Sequence, residues 1–404
     1  MNPNPSAPST TVDDATITAK TAQGMAVALV VVLAVLSIGL IAQNADVEPI
    51  FDQKFIDYTF AEGYPALESG ITSHLIVGAV NAIVPYEPQR SNALVRGVAA
   101  LFYLFAGGLL AWSLTGRERL WAFLLFMLLL FTSRFPLLWL SSEVFAGALL
   151  MLVLWSLVRN HPFVVTAALL VLFSFAKPDL LVPGAALGLF LTLRRDVLSR
   201  GHRFAIFAAL GSLVLVPGVV DAGLGYLQSG GRSMISFGQH YAALVQPHQI
   251  AEAPDPWLNY QAYLQNQFFR AGDSIGGVIR TRPDLYMDFV FLSLAESIRR
   301  MGPSYLLLLL PLAAYCFSAL KRTWKTVTLL VLTNLVPILL LSFLHVRYQA
   351  RFYPLVLFVI VGSLACASST KNRERLVAVC LAGLFLLQLF GSMFFFKTGH
   401  WFPD

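Results

Sequence analysis

The chain has 404 residues, of which 57% are hydrophobic and only 12% are charged, and its formal net charge is +6. Soluble globular proteins carry about 25% charged residues, so this composition excludes an ordinary soluble domain and favours a membrane protein. The positive charge requires no nucleic-acid partner, because lysine and arginine clusters beside membrane segments account for it. The three cysteines fall inside apolar runs, and their spacing predicts neither a disulfide framework nor a metal-binding pair.

The chain begins with a polar segment, residues 1–23, that is rich in Pro, Ser and Thr and is predicted to be a disordered cytoplasmic tail. The next run is longer than the core of a secretory signal, about 7–15 residues, and predicts a retained anchor helix. Similar runs recur along the chain and predict an all-α polytopic membrane protein with about 11 transmembrane helices. The predicted spans lie near 25–43, 93–114, 119–138, 142–158, 162–176, 179–193, 204–223, 304–320, 326–345, 352–369 and 376–396.

Basic residues fix the predicted orientation. With the N-terminus in the cytoplasm, 14 of the 28 basic residues fall at Lys20 and in the short inner connections TGRER, VRNHP, RRDVLSRGHR, KRTWK and KNRER. The positive-inside rule then places two long loops, 44–92 and 224–302, on the outer face. Residues 24–369 form the predicted catalytic module, and 370–404 form the last span and a short outer tail.

Both outer loops carry features that predict structure. In the first, SHLIVGAVNAIV (73–84) is too short to cross a membrane and predicts an interfacial helix. The second loop predicts a partly folded cap. Its aromatic residues are candidates for stacking on a ligand, with interface anchoring as the alternative; they are Trp257, Tyr260, Tyr263, Phe268 and Phe269.

Sequence motifs of soluble enzymes are missing, including phosphate-binding loops, dinucleotide-binding glycine patterns and zinc-protease motifs. A metal site is not indicated, because His240 and His248 are eight residues apart without a companion cysteine, although a divalent metal is compatible with the chemistry below.

A transporter needs ionisable residues in mid-span. Here the polar groups gather at the predicted outer ends, which fits a reaction at a surface better than a path across a membrane.

Several segments, in their order, resemble one family. They are FDQKFIDYTFAEGYP, ITSHLIVGAVNAIVP, LSSEVFAGALLMLVLW, AKPDLLVPGAALGLFL and HVRYQARFYPLVLFV. Together they look like the GT-C superfamily of integral-membrane glycosyltransferases, of the protein-mannosyltransferase and aminoarabinose-transferase type. The resemblance covers residues 25 to 369. It implies a polyprenyl-phosphate sugar donor, a glycan, lipid or protein acceptor, and an active site on the outer face.

The resemblance implies a catalytic carboxylate in the first outer loop, and the matching residue is Asp52. The second acid of the family's usual pair is replaced by Gln53, which leaves Asp46, Glu48 and Asp57 as rivals. Inverting transfer needs a general base for the acceptor hydroxyl, and a carboxylate at a low-dielectric boundary is a stronger base. The alternative is that Asp52 only caps a short helix.

The leaving polyprenyl phosphate needs cationic partners, and arginine suits phosphate through its paired donors. The candidates are Arg347, Tyr348, Arg351, Arg96, Arg134 and Lys177. The alternative for each arginine is an anchor that extends from a helix end to the interface. Lys177 and Asp179 match a recurrent family element, or pair with each other across Pro178. Glu143 matches a family glutamate, or is a helix N-terminal charge favourable to the dipole.

The sequence therefore predicts a membrane glycosyltransferase of the bacterial inner membrane, with a periplasmic active site and no nucleic-acid partner. Three alternatives stay open. One is an O-antigen ligase or polymerase, whose polar residues cluster in a late loop. Another is a lipid or solute transporter, and the third is an inactive relative with a scaffolding role.

Overall fold

The computed structural model describes seven continuous stretches, 88–113, 142–159, 161–177, 180–193, 200–215, 232–245 and 274–301. It also describes single helical positions and short helical groups at 31, 35, 72, 75, 78–79, 82–83, 264, 268, 332–334, 336, 338–340, 350–352, 354–356, 379, 383 and 386–387. All regular secondary structure in these residues is helical, in agreement with the predicted helical class.

Within the described stretches, eight helices have defined ends. They are α1 (Pro88–Ser113), α2 (Ser142–Arg159), α3 (Phe163–Ser174), α4 (Leu181–Leu193), α5 (Arg200–Leu215), α6 (Arg232–Val245), α7 (Ile275–Thr281) and α8 (Pro283–Met301).

The prediction of a polytopic protein with about 11 transmembrane helices is wrong for the part of the chain that the structure describes. No helix there combines the length and the apolar character that a membrane crossing requires. The predicted spans at 162–176 and 179–193 correspond to α3 and α4, which have 12 and 13 residues. At a rise of 1.5 Å per residue these helices are about 18–20 Å long, whereas the hydrocarbon core of a bilayer is about 30 Å thick.

The segment 224–302, predicted as an outer loop with a partly folded cap, contains α6, α7 and α8. The 19-residue α8 carries acidic side chains along its length, at Asp284, Asp288 and Glu296.

The first five helices form a series of packed pairs. Helix α1 lies against α2, α2 against α3, α3 against α4 and α5, and α4 against α5. Every residue from 143 to 151 is buried. A helix that is apolar on all sides is buried on all sides, and VFAGALLMLVLW in α2 has that composition. The first half of α2 therefore belongs to the core of this bundle.

Local sequence signals explain the helix ends. Glu143 in the first turn and Arg159 in the last turn of α2 both suit the helix dipole. Ser274 is the N-cap of α7, and its hydroxyl accepts a hydrogen bond from the Gly277 N–H at 3.1 Å. Helix α8 begins at Pro283, since proline fits the first helical position.

A second core joins α6, α7 and α8. Phe237 is its centre: it lies edge-on to Phe289 with ring centroids 4.9 Å apart, and it contacts Tyr241, Phe268 and Tyr286. The Tyr286 hydroxyl donates to the Leu340 carbonyl at 3.0 Å and ties this core to residues 338–340. Phe268 is buried in this core, so it stabilises the fold and is not exposed for stacking on a ligand.

Candidate functional site

One buried carboxylate, that of Glu143, holds two cationic side chains. Its Oε1 accepts a short hydrogen bond from Lys177 Nζ, and its Oε2 accepts one from Arg351 Nε at 3.0 Å. Glu143 and Arg351 are each 1% exposed, whereas the Lys177 side chain is 19% exposed. We name these three residues the 143–177–351 cluster. Lys177 is its accessible end.

Three different segments of the chain build this cluster. Glu143 comes from the first turn of α2, next to the unpaired N–H groups of the helix end. Lys177 follows α3 in a hydrogen-bonded turn: the Ala176 N–H donates to Phe173 O at 3.1 Å, and the Leu180 N–H donates to Lys177 O at 3.0 Å. Arg351 lies in the helical stretch 350–352. Backbone hydrogen bonds therefore fix the position of Lys177.

Burial of the 143–177–351 cluster has a large free-energy cost that its ion pairs must offset. Taking a carboxylate and a guanidinium out of water costs several kcal/mol per ion, and the pair repays this only when its geometry is good. Replacing such a pair with apolar residues is often neutral or stabilising, so its presence is weak support for a purely structural role. Ionisable groups held in desolvated surroundings beside a specific charge partner occur both at functional sites and in structural ion-pair networks.

The first loop reaches this region at Thr72. The Thr72 N–H donates to Phe175 O at 3.1 Å, and its hydroxyl donates to Leu172 O at 2.8 Å. Both carbonyls lie at the C-terminal end of α3, where helix carbonyls lack partners within the helix. Thr72 is buried, and Phe175 precedes Lys177 by two residues. Thr72, within the loop predicted to carry the catalytic acid, therefore packs against the end of α3 that leads to Lys177.

The structure brings together three of the predicted site residues, Glu143, Lys177 and Arg351. Lys177 pairs with Glu143. Glu143 also lies in the first turn of α2, so the helix-dipole interpretation applies to it as well. Arg96 lies on α1, but its side chain is outside the described residues. The remaining candidates lie outside the described residues altogether; they are Asp46, Glu48, Asp52, Asp57, Arg134, Asp179, Arg347 and Tyr348.

Sequence reasoning missed three residues that support the cluster: Thr72, Tyr103 and Gly147. Tyr103 and Gly147 contact the backbone of Ala350, the neighbour of Arg351. The available signals were weak. Tyr103 is the one phenol in the apolar run LFYLF, and Gly147 lies four residues after Glu143, on the same helix face.

Within the described helices, no three His, Cys, Asp or Glu side chains come together as a metal site. Compared with family models, curated proteins and solved structures, the chain matches none of them.

Proposed function

We propose that this chain transfers a sugar from a polyprenyl-phosphate donor to a hydroxyl group of a glycan, lipid or protein, as the resemblance to the GT-C glycosyltransferases implies. In this proposal the 143–177–351 cluster binds the phosphate of the donor. The observation that carries the proposal is that one buried carboxylate holds Lys177 and Arg351, which come from distant parts of the sequence, next to each other.

Two cations held by one carboxylate favour an anionic ligand. The three side chains carry two positive charges and one negative charge. Arg351 contacts Glu143 through Nε. Guanidinium groups bind phosphate through paired N–H donors, and lysine binds it as a compact charge. Since Lys177 is the accessible member, we expect the phosphate to contact Lys177 first.

The same contacts favour departure of the phosphate. In the proposed step, the acceptor oxygen forms a bond to the anomeric carbon while the bond from that carbon to the phosphate oxygen breaks. The electron pair leaves with polyprenyl phosphate, so negative charge grows on the oxygen nearest the cations. Donors that are already oriented toward developing charge lower the barrier most, because they need no reorganisation during the reaction.

The acceptor hydroxyl must lose its proton in this step. Asp52 is the base that we propose, with Asp46 and Asp57 as the alternatives. Thr72, in the same loop, is held at the end of α3 that leads to Lys177. Glu143 has a different role: both of its oxygens bind cations, so it positions the phosphate-binding groups.

A polyprenyl donor resides in a lipid surface, and we propose the periplasmic face of a bacterial inner membrane as the location of the reaction. The lipid bilayer is then a partner of the protein, together with the donor and the acceptor.

The test is a transfer assay with purified full-length protein in lipid vesicles. Radiolabelled polyprenyl-phosphate sugars serve as donors and a bacterial membrane extract as acceptor. Wild type is compared with Lys177→Gln, and with Arg280→Gln as the control, because Arg280 is an exposed cation on α7. We expect Lys177→Gln to lower kcat/KM for the donor about 10- to 100-fold, as is typical for loss of one phosphate contact. Arg280→Gln should retain the wild-type rate.

Two results would overturn the proposal. In the first, wild type neither consumes a donor nor binds polyprenyl phosphate. In the second, wild type moves labelled lipid between leaflets without chemical transfer, which would favour the transporter. Transfer that is equally fast in both variants would remove the 143–177–351 cluster from the site.

A further inference from the structure

Tyr103 contacts the chain beside Arg351 across a large distance in the sequence. Its hydroxyl on α1 donates to the Ala350 carbonyl at 2.7 Å, and both residues are fully buried. A buried carbonyl that loses its donor costs free energy, because no water replaces the lost hydrogen bond. The Tyr103 hydroxyl therefore fixes the position of the peptide that leads into Arg351.

Gly147 acts on the same carbonyl from α2. A Cβ added at this glycine would lie 2.2 Å from Ala350 O and 2.7 Å from Tyr103 Cε2. Neither distance is compatible with van der Waals contact, so only glycine allows the three segments to meet here. Since Gly147 follows Glu143 by one helical turn, the face of α2 that presents Glu143 also receives Ala350.

The contacts of Tyr103 and Gly147 affect the direction in which the Arg351 side chain points. Arg351 Nε lies 3.0 Å from Glu143 Oε2, and a hydrogen bond weakens steeply as its distance and angle depart from the optimum. A shift of the Ala350 peptide moves the Arg351 backbone with it.

We infer that Tyr103 is a positioning residue for the donor site: through Ala350, it aims the Arg351 guanidinium at Glu143. Gly147 provides the space that this arrangement requires. The functional part of this inference rests on the proposed donor site.

Three variants test the inference in full-length protein. Tyr103→Phe removes only the hydroxyl, and Gly147→Ala pushes on the Ala350 carbonyl. Gly108→Ala is the control on α1, because a Cβ added there meets no atom within 4 Å. Each variant is combined with Arg351→Gln, and the Tm is measured for all single and double variants.

The Tm readout does not depend on enzymatic activity. If Tyr103 aims Arg351, the Tm loss caused by Arg351→Gln should be at least about twofold smaller in the Tyr103→Phe and Gly147→Ala backgrounds than in wild type, because residues in one network are not additive. The Gly108→Ala background should show the full loss. Additive losses in all backgrounds would overturn the inference. If Gly147→Ala does not fold, Tyr103→Phe alone decides.

A kinetic readout separates positioning from loss of folded protein. We expect Tyr103→Phe to raise the KM for the donor about fivefold to tenfold, the effect of one misaligned charge-assisted hydrogen bond, with an unchanged KM for the acceptor. A lower kcat with both KM values unchanged would indicate less active enzyme and would overturn the positioning role. Wild type that consumes no donor would overturn the proposed function alone, and the Tm comparison would then decide whether Tyr103 aims Arg351.

Discussion

Ser174 on α3 lies against the backbone of Gly184 on α4. A Cβ added at Gly184 would lie 2.0 Å from Ser174 Oγ and 2.9 Å from Ser174 Cβ. The Ser174 hydroxyl is itself held, because it donates to Leu170 O at 2.8 Å. The two helices therefore approach closely on either side of the turn that carries Lys177.

Gly184→Ala should separate α3 from α4 and destabilise the protein by about 1–3 kcal/mol, the usual cost of overpacking a core. Ser174→Ala should restore part of this loss, since it removes the nearer atom. Gly211→Ala on α5 is the matched control, because a Cβ there meets nothing within 4 Å; alanine in a helix interior is favoured over glycine by about 0.5–1 kcal/mol. Denaturant unfolding measures all three. Equal stability of the Gly184 and Gly211 variants would contradict the close approach.

Thr72→Val should show whether the hydrogen bond of Thr72 affects stability alone or donor turnover as well. Valine preserves the shape but removes the hydroxyl bond to Leu172 O, which costs about 0.5–1.5 kcal/mol. Thr72→Ser keeps the donor and should retain near wild-type stability. If the anchor orients the catalytic loop, Thr72→Val should also lower donor turnover, measured with the transfer assay at a temperature where the variant is folded. A valine variant that matches the serine variant in both stability and turnover would exclude this role.

The helix positions were largely predictable from apolar runs, but their relation to a membrane was not. Helices α2, α3 and α4 lie close to the runs 142–158, 162–176 and 179–193, because Pro162 and the segment around Lys177 interrupt the apolar pattern. Hydropathy alone does not distinguish a buried core helix from a span. Helix α2, whose residues 143–151 are all buried against other helices, shows this ambiguity directly.

The members of the candidate site were recognisable from the sequence, but their grouping was not. Glu143 and Arg351 are 208 residues apart, and no local pattern predicts such a contact. For Lys177, the structure shows an ion pair with Glu143, 34 residues earlier in the chain, and sequence proximity gives no sign of it; Asp179, the neighbour suggested by the sequence, lies outside the described residues. Tyr103 had only a weak signal, because a buried tyrosine within an apolar helix looks like any other core residue.

Glu143→Gln should be strongly destabilising. It removes the charge that binds two cations, and loss of one partner of a buried ion pair costs about 3–5 kcal/mol. Glu143→Asp keeps the charge on a shorter side chain and should fall between glutamine and wild type. Asp284→Asn is the control, since its partner Arg282 and Asp284 itself are solvent-exposed and such pairs contribute little. Thermal unfolding gives the Tm of each variant. Equal Tm losses for Glu143→Gln and Asp284→Asn would contradict the claim that the buried ion pairs stabilise the protein more than the exposed pair.

The phenol of Tyr241 should make the free energy of unfolding decrease at high pH. Burial raises the pKa of Tyr241 from 10.0 to about 12; the charge of Arg282 lowers this pKa by a smaller amount, and the charges of Asp288 and Asp284 raise it. Below pH 10, both the folded and the unfolded chain keep this proton, so the group adds no pH dependence. Between pH 10 and 12 the unfolded chain releases the proton more readily, so the free energy of unfolding decreases as pH rises, by at most about 2.7 kcal/mol.

Tyr241→Phe removes this titration, so its unfolding free energy should fall less steeply than that of wild type above pH 10. Burial also raises the pKa of Tyr286, and Tyr286→Phe should reduce the slope in the same direction. Tyr286→Phe should in addition lose stability at neutral pH, because its hydroxyl bonds Leu340 O. Urea unfolding from pH 8 to 11.5 separates the two effects. A Tyr241→Phe protein with the wild-type slope would show that the Tyr241 phenol loses its proton equally readily in the folded and unfolded chains.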